Sequence, residues 1–592
     1  MKKIYSILLA SALTLSSCAD FLDVDSQGKL TEDVFFGEEE GALMSINAIY
    51  TQLRAWDIIG FSWFAITELP GDNSDTGSEL ADGSVARLNQ FNDFTYDAST
   101  SEINGWWEGN YKAIASCNVA LDNLGAVKNE ELRVKCIAQA RFFRGFFYFN
   151  LVRAFGGVPL VTKVLQPGEY NQPRATEEAV YQQIIEDLTY AAEHLPTRQE
   201  WGAKESGRAT KGTAEGLLAK VYLFRQDYAN VKKYTGQVIA RGEYSLHRDY
   251  RDLFNPNSYY SDEVMLADQY LWGESTERNL ESEYVKWQGI RGEMGWGMFS
   301  PSEALDQAYE AGDPRRTATI FYDGETLEGK GEIHFKKEVP PRANKKTIWP
   351  TGYWNENSFA KQNCHLIFLR YADVLLMYAE AVNELYGPRD DAQEALKRVR
   401  RRAFDSSLHA EKVDAYVAGL TNEQDFFQAI MDERKWEFGG EGIRKYDLAR
   451  WNKYGEVIYN LYHQMVNWGL VANGTAVPGI DKVPERIYYK DVEDTEHPER
   501  TVLDIVGIDE YGPEVGRPAG YEMKEYAISW RVLNQETQQY EPASEIYWSF
   551  RGFINQNNEQ TVKPTDPLRY LCPYPSKVIT DHRGLIQNYY GY

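Results

Sequence analysis

Apolar side chains recur at intervals of three and four over long stretches of this chain. The clearest run puts Tyr371, Val374, Leu375, Tyr378, Ala379 and Val382 on one face and is followed by Gly387-Pro388. That spacing is the signature of an amphipathic helix with one buried stripe, and a Gly-Pro pair ends it. The same pattern predicts helices over residues 38–56, 103–124, 130–155, 177–195, 213–224 and 228–241. Later in the chain it predicts helices over 369–386, 392–403, 423–438 and 441–451.

Several of these helices follow one another through short turns and read as pairs. Across the Arg225-Gln226-Asp227 turn, small Ala214 and Ala219 accompany Leu218, Tyr222 and Tyr228, the pattern of a tetratricopeptide-type hairpin. Such pairs bury their faces only against neighbours, so a mostly α, superhelical stack of about four tetratricopeptide-like pairs is expected. The pattern breaks over residues 242–365, a glycine-bearing insertion, and again over a loop-rich C-terminal region, 453–592. Long loops cost order without supplying a regular core, so they commonly carry function. The expected molecule is therefore one body, residues 38–592, with its scaffold at about 38–241 and 366–452. Long irregular loops and a few short strands decorate it.

Ahead of this body, Lys2 and Lys3 precede a short apolar stretch that ends in Leu15-Ser16-Ser17-Cys18. The stretch is too short to span a bilayer and is flanked as a secretory signal is. Small residues before a cysteine resemble a bacterial lipobox. Residues 1–17 are thus expected to be a lipoprotein signal peptide, Cys18 the lipidated N-terminus and residues 18–37 a tether. Cys117, Cys136, Cys364 and Cys572 lie far apart with no C-x-x-C pair, which argues against a disulfide framework or a zinc site. Cys117 and Cys136 are expected to pack as small apolar residues.

Charge narrows the partners. The 88 acidic residues outnumber 63 lysines and arginines for a net −25. A nucleic-acid ligand needs clustered cations, and so does a polybasic hold on anionic lipid; neither fits. With 14% aromatic residues the chain is not a disordered one, and so many flat side chains suit neutral polar ligands.

Candidate catalytic and metal chemistry reads as structure. Asp373/Glu380 and Glu433/Glu437/Glu441 have the look of paired carboxylates for glycoside hydrolysis, but Arg370, Arg434, Arg444 and Arg450 lie within helical reach. Ion pairs that lock the helix stack are the expected outcome. A faint calcium loop starts at Asp72, yet its first, third, fifth and twelfth positions are Asp72, Ser74, Thr76 and Gly83, so a capped turn is expected. The histidines are scattered, and no nucleophile motif or phosphate loop appears, so no catalytic residue, metal site or cofactor is expected.

Six stretches together resemble the SusD/RagB family, the nutrient-binding outer-membrane lipoproteins of Bacteroidetes. They are Cys18-Ala19-Asp20-Phe21-Leu22-Asp23; Trp106-Trp107 with Tyr111-Lys112-Ala113-Ile114; Ala140-Arg141-Phe142-Phe143-Arg144-Gly145 running on to Gly156-Gly157-Val158-Pro159-Leu160; Leu369-Arg370-Tyr371-Ala372-Asp373; Glu433-Arg434-Lys435-Trp436-Glu437-Phe438-Gly439-Gly440-Glu441-Gly442; and Pro573-Tyr574-Pro575. They occur in family order from one end of the chain to the other. The resemblance implies a helical body of four tetratricopeptide-like pairs on the outer leaflet of the outer membrane. It implies a partner, a SusC-like TonB-dependent transporter, and a glycan or, in some members, peptide ligand without catalysis.

A saccharide ligand gives the loop aromatics a task, since sugar C–H faces stack on indole and phenol rings while hydroxyls bond to polar side chains. The candidates in the insertion are Trp272, Trp287, Trp296, Trp349, Tyr353 and Trp354, with Arg291 as a polar partner; Asp75 and Arg87 join them from the N-terminal loop. Trp106, Trp107, Trp436 and Trp451 are assigned to the core. The expected function is capture of an oligosaccharide and its delivery to the transporter. A peptide or glycopeptide binder, an all-α glycoside hydrolase and a pure assembly scaffold are the alternatives.

Overall fold

The computed structural model describes residues 32–76, 86–268, 287–290, 295–333, 342–349, 354–472, 476–479, 484–493, 501–510, 519–525, 531–533, 540–542 and 570–588, apart from positions 93, 95, 259, 323, 329, 330, 356, 357, 363, 583 and 584. The signal segment and Cys18 lie outside the described residues.

Helices dominate. Besides several short helices, they include, in chain order, α1 (Glu39–Gln52), α2 (Phe61–Thr67), α3 (Ser101–Asn123), α4 (Glu130–Phe155), α5 (Glu177–His194), α6 (Lys211–Phe224), α7 (Tyr228–Arg241), α8 (Tyr371–Tyr386), α9 (Asp390–Ala403), α10 (Glu423–Phe438), α11 (Arg444–Arg450) and α12 (Tyr454–Ala472). Five of these helices start on a side-chain cap. Side chains of Asn129, Thr176, Thr210, Asp227 and Asn422 accept backbone N–H bonds at the heads of α4, α5, α6, α7 and α10, each satisfying a donor the helix leaves open.

Packing runs in series. Helix α3 packs on α4, α4 on α5, α5 on α6, α6 on α7, α7 on α8, and α8 on both α9 and α10. The stack therefore continues across the insertion, because α7 and α8 are neighbours in space though far apart in the chain. The centre is α4, whose Phe142, Phe143, Phe146, Phe147, Tyr148 and Phe149 are all buried. Its Gly145 permits close approach to α5: a Cβ there would sit 3.0 Å from Leu188 Cγ. Cys117, Cys136, Cys364 and Cys572 are all buried thiols, and burial pushes each of them up.

The insertion leaves and re-enters the scaffold at one point. Strand Val264–Ala267 pairs antiparallel with Ile367–Arg370, so the segment between them is tied off at its base. Residues 453–592 hold more regular structure than the loops expected there. Tyr454–Ala472 is helical, and Pro484–Glu493 pairs with both Thr501–Glu510 and Glu522–Glu525. The chain then returns to the body: the Cys572 N–H donates to Ala154 O at 2.7 Å, and the Tyr574 hydroxyl donates to Phe155 O at 3.1 Å. No described helix is long and apolar enough to cross a membrane.

Candidate functional site

The acidic clusters close into a buried seam between the insertion and α8, α9 and α10. Arg370 Nε donates to Glu441 at 2.9 Å and its Nη1 to Glu263 at 2.8 Å and Glu437 at 2.6 Å. Arg315 joins Glu433 at 2.6 Å, and Arg434 joins Asp373 at 2.8 Å and Asp447 at 2.7 Å. Arg450 holds Glu380. Burial by itself would raise the Glu437 carboxyl, but the Arg402, Arg370 and Arg315 guanidiniums outweigh it and hold the group well below the usual range. Burial opposes Lys220 and Arg434 at Asp373 with the same net lowering. A glycosidase acid needs a carboxyl raised toward neutrality, and these two go the other way. Asp72 is likewise spent, on Arg444 at 2.8 Å and Lys435 at 2.9 Å; the later positions of the faint calcium loop, Gly83 included, lie outside the described residues.

A different arrangement stands at the surface, where two distant segments converge. Gly60 turns the chain sharply between a short helix, Trp56–Ile59, and α2. A Cβ at this position would lie 2.3 Å from Trp56 O, so a glycine is needed to bring Phe61 back beside Trp56. The second segment is the glycine cluster after Trp287. Gly297 N donates to Gly289 O and Met298 N to Trp287 O, both at 2.7 Å, which folds Trp296 back onto Trp287.

The four rings form one cluster. Phe61 and Trp287 are 3.9 Å apart between centroids, and Trp287 meets Trp56 and Trp296 edge-on at 4.7 Å each. Phe61 and Trp296 stack at 6.0 Å. Burial divides them: Trp287 is 0% exposed and Phe61 5%, while Trp56 is 51% and Trp296 39% exposed. Arg87, itself exposed, lays its guanidinium 4.3 Å from the Phe61 centroid and pairs with Glu102 at 3.2 Å. Two outward indoles thus flank a buried aromatic floor, with a fork of N–H donors at its edge. Flat apolar faces beside a charged donor are what a sugar ring requires, and rigid rings lose little freedom in holding it.

Of the candidates read from sequence, Trp287, Trp296 and Arg87 come together here. The role expected of Trp287 needs correction: the surrounding rings bury it completely, so it supports the contact surface and offers no open face. Trp349 is also corrected. It is buried, its indole N–H donates to Lys346 O at 3.1 Å and the Arg251 guanidinium covers its ring at 3.8 Å, so it anchors the insertion. Asp75 sits half-buried on strand Ser74–Asp75, paired with Ser300–Pro301 shortly after Trp296. Burial pushes its carboxyl up to about 6, with Arg342 pulling down and Glu303 up. Trp272, Arg291 and Tyr353 lie outside the described residues, as does the Trp354 side chain.

Trp56 and Phe61 were not among the expected site residues. The helical pattern of residues 38–56 runs up to Trp56, which hides it as a core position; α1 in fact ends at Gln52. The signal available was the glycine set between two aromatics. Trp106, Trp107 and Trp436 are buried as expected, and Trp451 donates its indole N–H to Glu380 at 2.9 Å.

Known proteins share this architecture. A family model described as "SusD family" matches residues 262–592, and one described as "Starch-binding associating with outer membrane" matches residues 20–223. A SusD-like protein of Formosa agariphila is 30% identical, covering 77% of this chain and 92% of its own length. One from Bacteroides ovatus is 29% identical over 77% of this chain and 83% of its own. A solved "Laminarin binding SusD-like protein" superposes with a TM-score of 0.60 at 26% identity, covering 71% of this chain and 93% of that one.

Proposed function

Because the chain belongs to the SusD family, we propose that it is a non-catalytic glycan-binding lipoprotein that takes an oligosaccharide at the cell surface and hands it to a TonB-dependent transporter. The observation that carries this reading is the pair of half-exposed indoles, Trp56 and Trp296, beside the Arg87 guanidinium. A pyranose ring laid on either indole buries its C–H face, and Arg87 donates to its hydroxyls. The laminarin ligand of the solved relative supports a neutral glucan as the first probe. No bond is made or broken in this account, since the carboxylates of the seam are committed to arginines.

The anchor is Cys18, whose acylation at the head of residues 18–37 leaves the body on a tether. A SusC-like barrel is the partner that the family relationship supports. Affinity electrophoresis of the purified mature chain against a panel of neutral and acidic polysaccharides, laminarin included, tests the ligand. At least one glycan is expected to retard it, and Trp56→Ala/Trp296→Ala is expected to abolish the retardation. A folded wild-type chain that no glycan retards overturns the reading. For the anchor, Cys18→Ala is expected to release the protein from the outer-membrane fraction; a variant still held there contradicts it.

A further inference from the structure

The aromatic surface depends on where one short helix sits. Helix α3 carries two glycines one turn apart in its interior, in the run Gly105-Trp106-Trp107-Glu108-Gly109. Alanine is the better helix former at such positions, so propensity argues against both glycines. Packing supplies the reason for one of them. The short helix Trp56–Ile59 and α2, which flank the Gly60 turn, both lie against α3.

The two glycines are not equivalent. A Cβ at Gly105 would meet only side-chain ends, Ser62 Oγ at 3.1 Å and Asp57 Oδ1 at 3.7 Å, and these can turn aside. At Gly109 it would lie 2.8 Å from Asp57 Cβ, 3.1 Å from Asp57 C and 3.0 Å from Ile58 Cγ1. Ordinary contact begins at 3.4 Å, so the added methyl and the short helix would have to part by at least 0.6 Å. Both Asp57 atoms move only with the backbone, and no change of rotamer relieves them. Trp56 is the next residue along that backbone, and its indole meets Trp287 edge-on at 4.7 Å. A gap of roughly 0.5–1 Å forfeits a quarter to a half of such a contact. The Asp57–Lys112 pair at 3.0 Å also ties the short helix to α3, but a pair at the surface contributes little. The close seat on Gly109 is the stronger constraint.

We propose that Gly109 is a positioning residue of the glycan surface: it sets the depth at which the short helix seats on α3, and so holds the Trp56 indole against Trp287 with its outer face open. An alanine at this position moves one outward indole relative to the other while leaving every ring in the chain. The proposal rests on the reading that Trp56 and Trp296 hold the sugar.

Two measurements on the mature full chain test it. The first needs no ligand: fluorotryptophan is incorporated, and the fluorine resonance of Trp56 is assigned by its loss in Trp56→Phe. Gly109→Ala is expected to shift that resonance. Gly216→Ala, which crowds Leu369 and Met265 from α6, is expected to leave it in place. The second is calorimetric titration with laminari-, cello- and malto-oligosaccharides. For the probe that the wild type binds most tightly, Gly109→Ala is expected to weaken binding by roughly three- to tenfold, and Gly216→Ala to bind as wild type does. In a Trp56→Ala background the added Gly109→Ala is expected to weaken binding no further. Should Gly109→Ala not fold, Ile58→Ala loosens the same seat from the other side, with the same two shifts expected. An unmoved Trp56 resonance, wild-type affinity in the seat variant, or a loss that persists in full without Trp56 overturns the positioning role and leaves the aromatic surface standing. Wild-type protein that binds none of the three probes, or Trp56→Ala that binds as wild type does, overturns the reading of the surface and this proposal with it.

Discussion

The arginine–carboxylate seam and the aromatic surface are both dense in residues capable of chemistry, and they differ in what their surroundings leave available. In the seam Arg370 is 1% exposed and touches three carboxylates, so its donors are consumed inside the protein. At the surface, Trp56 keeps 51% and Trp296 39% of its area open while their neighbours Phe61 and Trp287 are sealed. A carboxylate that is buried and paired is a structural fastener, whereas an indole fixed on one side and bare on the other keeps a face on which the proposed ligand can lie. The difference lies in burial and satisfaction; residue type does not reveal it.

Breaking the seam should give the largest effect. Arg370→Ala leaves Glu263, Glu437 and Glu441 without their shared cation, and about 3–5 kcal/mol of stability is expected to be lost in denaturant unfolding. The seam also sets the response to acid. Glu437 and Asp373 are lowered in the folded chain, so the unfolded state binds more protons as pH falls. Their stabilisation is complete above their unfolded values, near pH 4, and is lost as pH falls toward the folded ones. Thermal melts from pH 7 down to pH 3 are expected to show this decline, and Glu437→Gln is expected to flatten it.

The next effect probes an aromatic residue on the buried side of the comparison. Trp349→Phe removes the hydrogen bond to Lys346 and part of the stacking surface for Arg251, at an expected cost of about 1–2 kcal/mol in stability. Glycan affinity is expected to be unchanged. Trp296→Ala should do the reverse, with affinity falling roughly tenfold, near 1.4 kcal/mol, while the melting curve moves little. Arg87→Ala is the mildest, with an expected two- to threefold loss of affinity, about 0.5 kcal/mol, because the guanidinium is exposed and screened.

Much of the scaffold was legible because helix periodicity is local. The apolar face from Tyr371 to Val382 sits in a helix whose limits are Tyr371–Tyr386, close to the 369–386 read from spacing. Where the reading slipped, the cause was a turn or a long-range pairing. The Gly439–Gly442 run delays α11 to Arg444 although the pattern begins at Glu441. Strands Pro484–Glu493 and Thr501–Glu510 pair with each other, and neither shows a periodicity that identifies it alone. The site was half legible for the same reason. Aromatics in a glycine-rich loop pointed to Trp287 and Trp296, but nothing local to Trp56 shows that a segment far along the chain folds against it. Nor does sequence show that Trp287 is the sealed partner and Trp296 the open one, since that depends on which rings cover which.

Trp56 and Trp296 are proposed as the faces on which a sugar rests. A crystal structure of the mature chain soaked with laminarin oligosaccharides tests it most directly. A pyranose ring is expected to lie flat on one or both indoles, with a hydroxyl within hydrogen-bond distance of the Arg87 guanidinium. An oligosaccharide bound elsewhere on the body, with both indoles left uncovered, would contradict it.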